Sequence, residues 1–230
     1  MHSDPDLKAQ QFQISSSLEL LIRVGVVFLQ ELSIGEGSAA LSGQLAALGD
    51  ELRRTIGDRQ PSSLEPVARS RRLFKLVGLD PTKDRPASEK LLRRVLASRP
   101  FPRINDFVDA LNLVSLKLQF PLGFYDWHPI VPPVLLRLGR PDEAFRGLGG
   151  EEVRLPGKIV LVDGEGPFGN PTRDSERTQV TTRTVRSLVV AFAPHDTPRV
   201  QMEEVVREIG DAAREFCRGR VVASAILPAR

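Results

Sequence analysis

Cysteine is almost absent from this chain. Cys217 stands alone, so no internal disulfide can form, and with three scattered histidines it leaves no structural zinc set. Such a composition suits a reducing compartment. Long apolar runs are missing as well. The longest, Val24 to Leu29, falls far short of the roughly 20 residues needed to cross a bilayer. Met1 to Gln13 is polar and acidic, without the basic start and apolar run of a signal peptide. No membrane contact is expected, and a cytoplasmic location is. Nor is there an excess of charge of one sign, since 32 Lys and Arg stand against 29 Asp and Glu. A global field that attracts nucleic acid is thereby excluded, and any basic surface must come from local clustering. The glycine-rich stretches 147–150 and 164–169 lead into neither a Gly-Lys-Ser/Thr helix start nor a strand–helix dinucleotide turn. They read as hairpin turns, and no ATP-binding signature, metal or cofactor is expected.

What is present is an ordinary globular balance, 41% hydrophobic and 27% charged over 230 residues, enough to bury a core. Residues 1–17 read as a loose leader. Residues 18–64 form an N-terminal strand–helix portion. Leu18 to Leu32 reads as a strand, and the bulky run through Ile22, Val24, Val26, Val27, Phe28 and Leu29 is what a strand buried on both faces shows. Leu41, Leu45, Leu48, Leu52 and Ile56 then keep helical spacing up to Gly57. A second helix is predicted from Pro66 to Gly78, a third from a Ser88 cap to Ser98, and a fourth over Ile104 to Gln119. After Pro121 the texture changes to short β-rich pieces at 134–138, 152–155, 158–162 and 185–191. Helical spacing returns over Met202 to Cys217 within a C-terminal helix and tail, 201–230, with Cys217 half-buried. The order strand, helices, strands, helix predicts an α+β layered fold with helices packed on mixed β-sheets.

The fourth helix is the most informative element. Asn105, Asp109 and Asn112 fall within roughly 60° of one another on a helix that is otherwise apolar nearly all round. Buried polar side chains must find partners. Either the stripe pins neighbouring loops through their backbone, or it faces a pocket; Asn105, at the helix start beside Arg103, is the member best placed to face one. His128 and His195 lie in no triad pattern and read as surface residues. The adjacent aromatics Phe124, Tyr125 and Trp127 could stack on a base or serve as core and cover.

The run Pro102-Arg103-Ile104-Asn105-Asp106-Phe107-Val108-Asp109-Ala110-Leu111-Asn112 is similar to the "R-P-I-N-N-V-V-D-x-x-N" segment of the editing domain of the phenylalanyl-tRNA synthetase β subunit, built from modules B-three and B-four. Pro121-Leu122-Gly123-Phe124-Tyr125-Asp126 resembles that family's "P-M-H-A-F-D", and Leu148-Gly149-Gly150-Glu151 its turn before a hairpin. Asp174-Ser175-Glu176-Arg177-Thr178 falls at its "G-G-x-E-S" loop. The match spans about residues 65–200, the expected core. The stretch from Ser70 through Arg94 looks more like the stand-alone bacterial members. The resemblance implies a pocket for an aminoacyl ester at a tRNA acceptor end. Asn105, Asp109, Asn112 and Glu176 would position substrate or water, and Gly123, Phe124, Ser175 and Thr178 would line the pocket. Two departures stand out: the family's histidine is Gly123 here, and its glycine pair is Arg173-Asp174. Glu176 could alternatively pair with Arg173 or Arg177 on an exposed loop.

Basic residues cluster on the second and third helices. Arg71, Arg72, Lys75, Arg93, Arg94 and Arg103 are the candidates for phosphate contact, against the alternative of solvated helix faces. Three functions follow: an editing hydrolase acting in trans on mischarged tRNA, a non-catalytic module for a tRNA end or an amino-acid-like ligand, or a structural partner docking through its leader and C-terminal helix. A complete tRNA ligase is not expected from this length.

Overall fold

The computed structural model describes residues 11–229. Residues 1–10 of the expected leader lie outside them. The next residues are not loose: β1 (Phe12–Ile14) runs parallel to β4 (Val134–Leu138), with Phe12 opposite Val134. β2 (Ile22–Gln30) follows, then α1 (Ala39–Ile56), α2 (Glu65–Leu76), α3 (Ala87–Leu96) and α4 (Asp106–Leu118). β3 (Leu122–Asp126) opens the β-rich half. It continues through β4, β5 (Ala144–Arg146), β6 (Glu152–Arg154), β7 (Ile159–Asp163), β8 (Gly166–Asn170), β9 (Arg173–Asp174) and β10 (Ser187–Pro194). The chain closes with α5 (Arg199–Cys217) and β11 (Arg220–Leu227).

The architecture is α+β in three layers. A four-stranded antiparallel sheet, in the order β11-β2-β10-β3, forms the middle layer. It draws strands from near both ends of the described chain. β2 alternates side chains between its two faces, and both faces are buried, which explains its unbroken apolar run. Val27 and Leu29 join Val189 and Ala191 beneath α4 and α5. Val24, Val26 and Phe28 point the other way with Leu188, Val190 and Phe192, onto the second sheet and α2. That second sheet is mixed, in the order β1-β4-β7-β8-β9. Helix α5 sits close on the middle layer because Gly25 has no side chain there; a Cβ would come 2.7 Å from Val206 Cγ2. A smaller cluster, including Val67, Leu92, Val95 and Leu116, joins α2, α3 and α4.

Several expectations are corrected. Ser88 does not cap α3: Pro86 occupies the N-cap position, with no side-chain capping bond, and Ser88 is enclosed within the first turn with its hydroxyl unpartnered. The stretch 164–169 is a turn running into a strand, not a turn alone. The tail after α5 is a strand bonded to β2 along its length. Cys217 is fully buried, and burial pushes its thiol up to about 12. Among the described residues no helix is long and apolar enough to cross a membrane.

Candidate functional site

A cleft of about 610 Å³ opens between α3, the inner face of α4, β3 and the β8–β9 turn. Its floor is apolar, made by Ile104, Val108, Leu122, Phe124 and Val180. Its rim is cationic, with Arg85, Lys90, Arg93, Arg94, Arg99 and Arg173. Asp174 is the single acidic residue among those that line it. The volume is that of a small-molecule site, and an apolar body with a few convergent polar groups is what such sites present.

The α4 stripe divides between scaffold and cleft. Asn105 does not face a pocket. It is the N-cap: its backbone is extended, and its Oδ1 accepts from the Val108 amide at 2.9 Å. Asp109 is buried and accepts from Arg103 Nε at 2.6 Å and from the Ile104 amide at 3.1 Å, which fixes the approach to the helix. Asp106 likewise pins α1, accepting from the Ser38 amide at 2.9 Å. Only Asn112 reaches the cleft, and its amide makes no hydrogen bond among the described residues. The expected stripe is therefore three side chains with two jobs, divided by one helical turn.

Among the residues expected to line the pocket, Phe124 does so, standing edge-on to Phe107 at 6.3 Å. Ser175 and Thr178 lie behind it, buried and bonded to each other at 3.1 Å. Glu176 lies outside the cleft; it pairs with neither Arg173 nor Arg177 but with Arg146, at 2.7 Å, with both side chains largely exposed. Arg173 instead pairs with Glu151, and Arg177 grips Asp163 with two bonds of 3.0 and 2.8 Å. Trp127 and Tyr125 are core, packed edge-on against Phe28 and Phe168.

Gly123 faces away from the cleft floor, on the same face of β3 as Tyr125. The Tyr125 ring folds back over it, and a Cβ at 123 would fall on the Tyr125 hydroxyl. Gly169 on β8 leaves the matching gap on the ring's other side. Asp174, cross-strand from Gly169, meets the phenol there. The two groups interact without a hydrogen bond of ordinary geometry, since Tyr125 Oη and Asp174 Oδ1 are both enclosed and unpartnered. Burial pushes the Asp174 carboxyl up to about 7, opposed by the phenol, and pushes the Tyr125 phenol well above its ordinary value. Neither residue is among those expected to position substrate or line the pocket; Tyr125 reads in the sequence as a base-stacking or core aromatic and Asp174 as a departure from the family. The signal available was the pair of departures at 123 and 174, together with the two-residue spacing of Gly123 and Tyr125.

Beside them Asn170 is nearly enclosed. Its Oδ1 accepts from the Thr172 amide, the Thr172 hydroxyl and the Arg173 amide, at 2.8, 2.7 and 2.9 Å. Three donors on one oxygen fix which end of the amide is which, and Nδ2 is left as an unpartnered donor.

The basic candidates split in the same way. Glu89, wholly enclosed at the start of α3, receives Arg71 at 3.0 and 3.2 Å and Arg93 at 2.8 Å, with Arg85 Nε 3.6 Å away. Arg72 pairs with Asp196 at 2.8 Å, and Lys75 is exposed away from the cleft. Arg103 is held by Asp109. Arg94 rests on the Pro100 carbonyl, Lys90 on the Thr172 carbonyl at 3.3 Å, and Arg99 has no partner among the described residues. These last three are the rim cations without a carboxylate. Loss of hydration, and then Arg173, hold the Lys90 ammonium below its usual value although its side chain reaches solvent.

A layered α+β domain with one apolar, cation-rimmed cleft thus defines the class. Comparison with known proteins places it further. The model of the B3/4 domain family matches residues 69–219, and the chain belongs to that family. It is similar to the phenylalanine–tRNA ligase beta subunit of Synechococcus sp. (strain JA-2-3B'a(2-13)), 26% identical over 240 aligned residues, covering 94% of this chain and 29% of that protein. The fold is similar to an N-terminal fragment of the phenylalanyl-tRNA synthetase beta subunit from Pyrococcus horikoshii. There the TM-score is 0.52 and the identity 15%, over 97% of this chain and 55% of that one. The chain spans about a third to a half of the length of these relatives.

Proposed function

We propose that this domain binds a tRNA acceptor end and hydrolyses a wrongly attached amino acid from it, acting in trans. The observation that supports this reading best is the pairing of an apolar floor with three cations that have no carboxylate within ion-pair distance among the described residues, Lys90, Arg94 and Arg99. An aminoacylated 3′ end has this shape: an apolar or aromatic side chain, a ribose and nearby phosphates. The rim would take phosphate and the floor the side chain, with Asn112 and Asn170 offering polar contacts to the ester between them. In the reaction water adds to the ester carbonyl, the acyl–oxygen bond breaks, the ribose oxygen leaves as a hydroxyl and one proton passes to solvent with the released carboxylate. No covalent intermediate is required. The family relationship supports the same class of ligand.

A second reading, binding without turnover, is favoured by one observation: of the four candidate positioning residues only Asn112 reaches the cleft. Incubating the protein with a panel of tRNAs charged with correct and incorrect amino acids separates the two. Release of a subset, abolished in Asn112→Ala at unchanged tRNA affinity, supports the hydrolase. Retention of charged tRNA with no release above the uncatalysed rate leaves the binding module. Neither release nor salt-sensitive retention would overturn both.

A further inference from the structure

The cleft is lined by six cations and one carboxyl, and that carboxyl is not one of them by accident of surface composition. Asp174 sits at the inner end of β9, with one oxygen enclosed and unpartnered. Its position depends on an arrangement that spans two strands. Gly123 and Gly169 make room for the Tyr125 ring, and Tyr125 in turn backs the carboxyl. No rim cation pairs with it: Arg93 and Arg85 turn to Glu89, Arg173 to Glu151, and Lys90 and Arg94 to backbone carbonyls. A carboxylate so desolvated lacks what it needs, a cation brought in from outside.

Taking the cleft as an aminoacyl-nucleoside site, we propose that Asp174 binds the free α-ammonium group of the aminoacyl moiety, so that the site accepts ligands with a free amine and rejects those whose amine is acylated. The inference rests on the reading above and adds the group that recognises one end of the ligand. The layout gives each part of such a ligand its counterpart: apolar floor for the side chain, rim cations for phosphate, Asp174 for the amine. Asp174 stands on β9 and Arg94 on α3, so the amine and the phosphate are met by different elements of the cleft. Burial keeps the carboxyl up to about 7, the state of a group that gains from an arriving ammonium.

The test uses puromycin, an aminoacyl nucleoside with an amide link that resists hydrolysis and a free α-amine, and N-acetylpuromycin, in which an acetyl group on that amine removes its charge; Asp174→Asn separates the loss of charge from the added bulk. Titration calorimetry on the full chain is expected to show puromycin bound about tenfold or more tightly than its acetylated form. Asp174→Asn is expected to bind both alike, at the affinity the wild type has for the acetylated form. Equal binding of the two probes by the wild type would overturn the inference while leaving the aminoacyl-nucleoside site standing. So would discrimination that persists in Asp174→Asn. Binding of neither probe would remove the site reading itself, and the inference with it. The wild-type comparison needs no variant to fold.

Discussion

The hydroxyl of Tyr125 stands where a side chain on Gly123 would have to be. The two residues are one device: the glycine is small because the tyrosine lies over it, and the tyrosine reaches Asp174 because the glycine is small. Gly123→Ala is expected to force the phenol aside and cost about 1–3 kcal/mol, as overpacking does in a dense core. Tyr125→Phe removes an enclosed, unpartnered hydroxyl and is expected to leave stability unchanged or slightly raised. Urea denaturation of the two variants checks both signs.

Asp174 makes stability depend on pH in an unusual direction. Its folded value of about 7 lies above the ordinary 3.8, so the unfolded chain ionises first. The folded state therefore loses ground as pH rises from about 4 to about 7, and the penalty is constant above that. Asp174→Asn is expected to gain on the order of a few kcal/mol at pH 8 and nothing below about pH 4. Denaturant midpoints across that range would show the two curves converging in acid.

Glu143 has the opposite sign. Hydrogen bonds from Arg137 first, and one from the Arg140 amide, hold it down to about 2, below its ordinary 4.5. Its contribution is complete above about 4.5 and lost as pH falls through about 2. Glu143→Gln is expected to cost about 1.5–3 kcal/mol at pH 7, with the difference from wild type vanishing in strong acid. Thermal melts at pH 7 and pH 2 test this.

The α4 stripe predicts a crossed result. Asn105→Ala removes a cap and is expected to cost about 1 kcal/mol with ligand affinity preserved. Asn112→Ala is expected to leave stability within about 0.5 kcal/mol and to weaken binding in the cleft. A single pair of melting and titration curves separates scaffold from site.

Arg94→Ala is expected to lower tRNA affinity and to flatten its dependence on log salt by about one unit. Arg72→Ala, which removes an exposed ion pair, is expected to change neither. Filter binding over a salt series measures both slopes.

The layers of this fold were readable wherever burial imposed a period. β2, α1, α2, α4 and α5 bury long apolar stripes that mark where they lie, although β2 is Ile22–Gln30 and not the longer Leu18 to Leu32, because 18–21 form a turn. Strands that depend on a neighbour were not readable. Gly166-Pro167-Phe168-Gly169-Asn170 has the composition of a turn, yet it pairs as a strand between β7 and β9, and its Gly169 leaves room for the Tyr125 ring. β11 alternates weakly because it is a sheet edge, and its register comes from β2. The site was half readable for a similar reason. Asn112, Phe124, Arg93 and Arg94 could be named from helix spacing and resemblance, and they line the cleft. Sequence position could not tell that Arg71 turns inward to Glu89, or that Glu176 swings out to Arg146, because those outcomes depend on charges distant along the chain.

Three guanidinium groups gathered on the enclosed Glu89 have a mechanical consequence. α2 and α3 cannot slide past each other without stranding that carboxylate, so one wall of the cleft is clamped before any ligand arrives. The mouth has a fixed gauge on that side. The β8–β9 turn is held to the same wall, by the Ala87 amide on the Pro171 carbonyl and by Lys90 on the Thr172 carbonyl, so whatever enters is measured against a mouth whose width is set in advance.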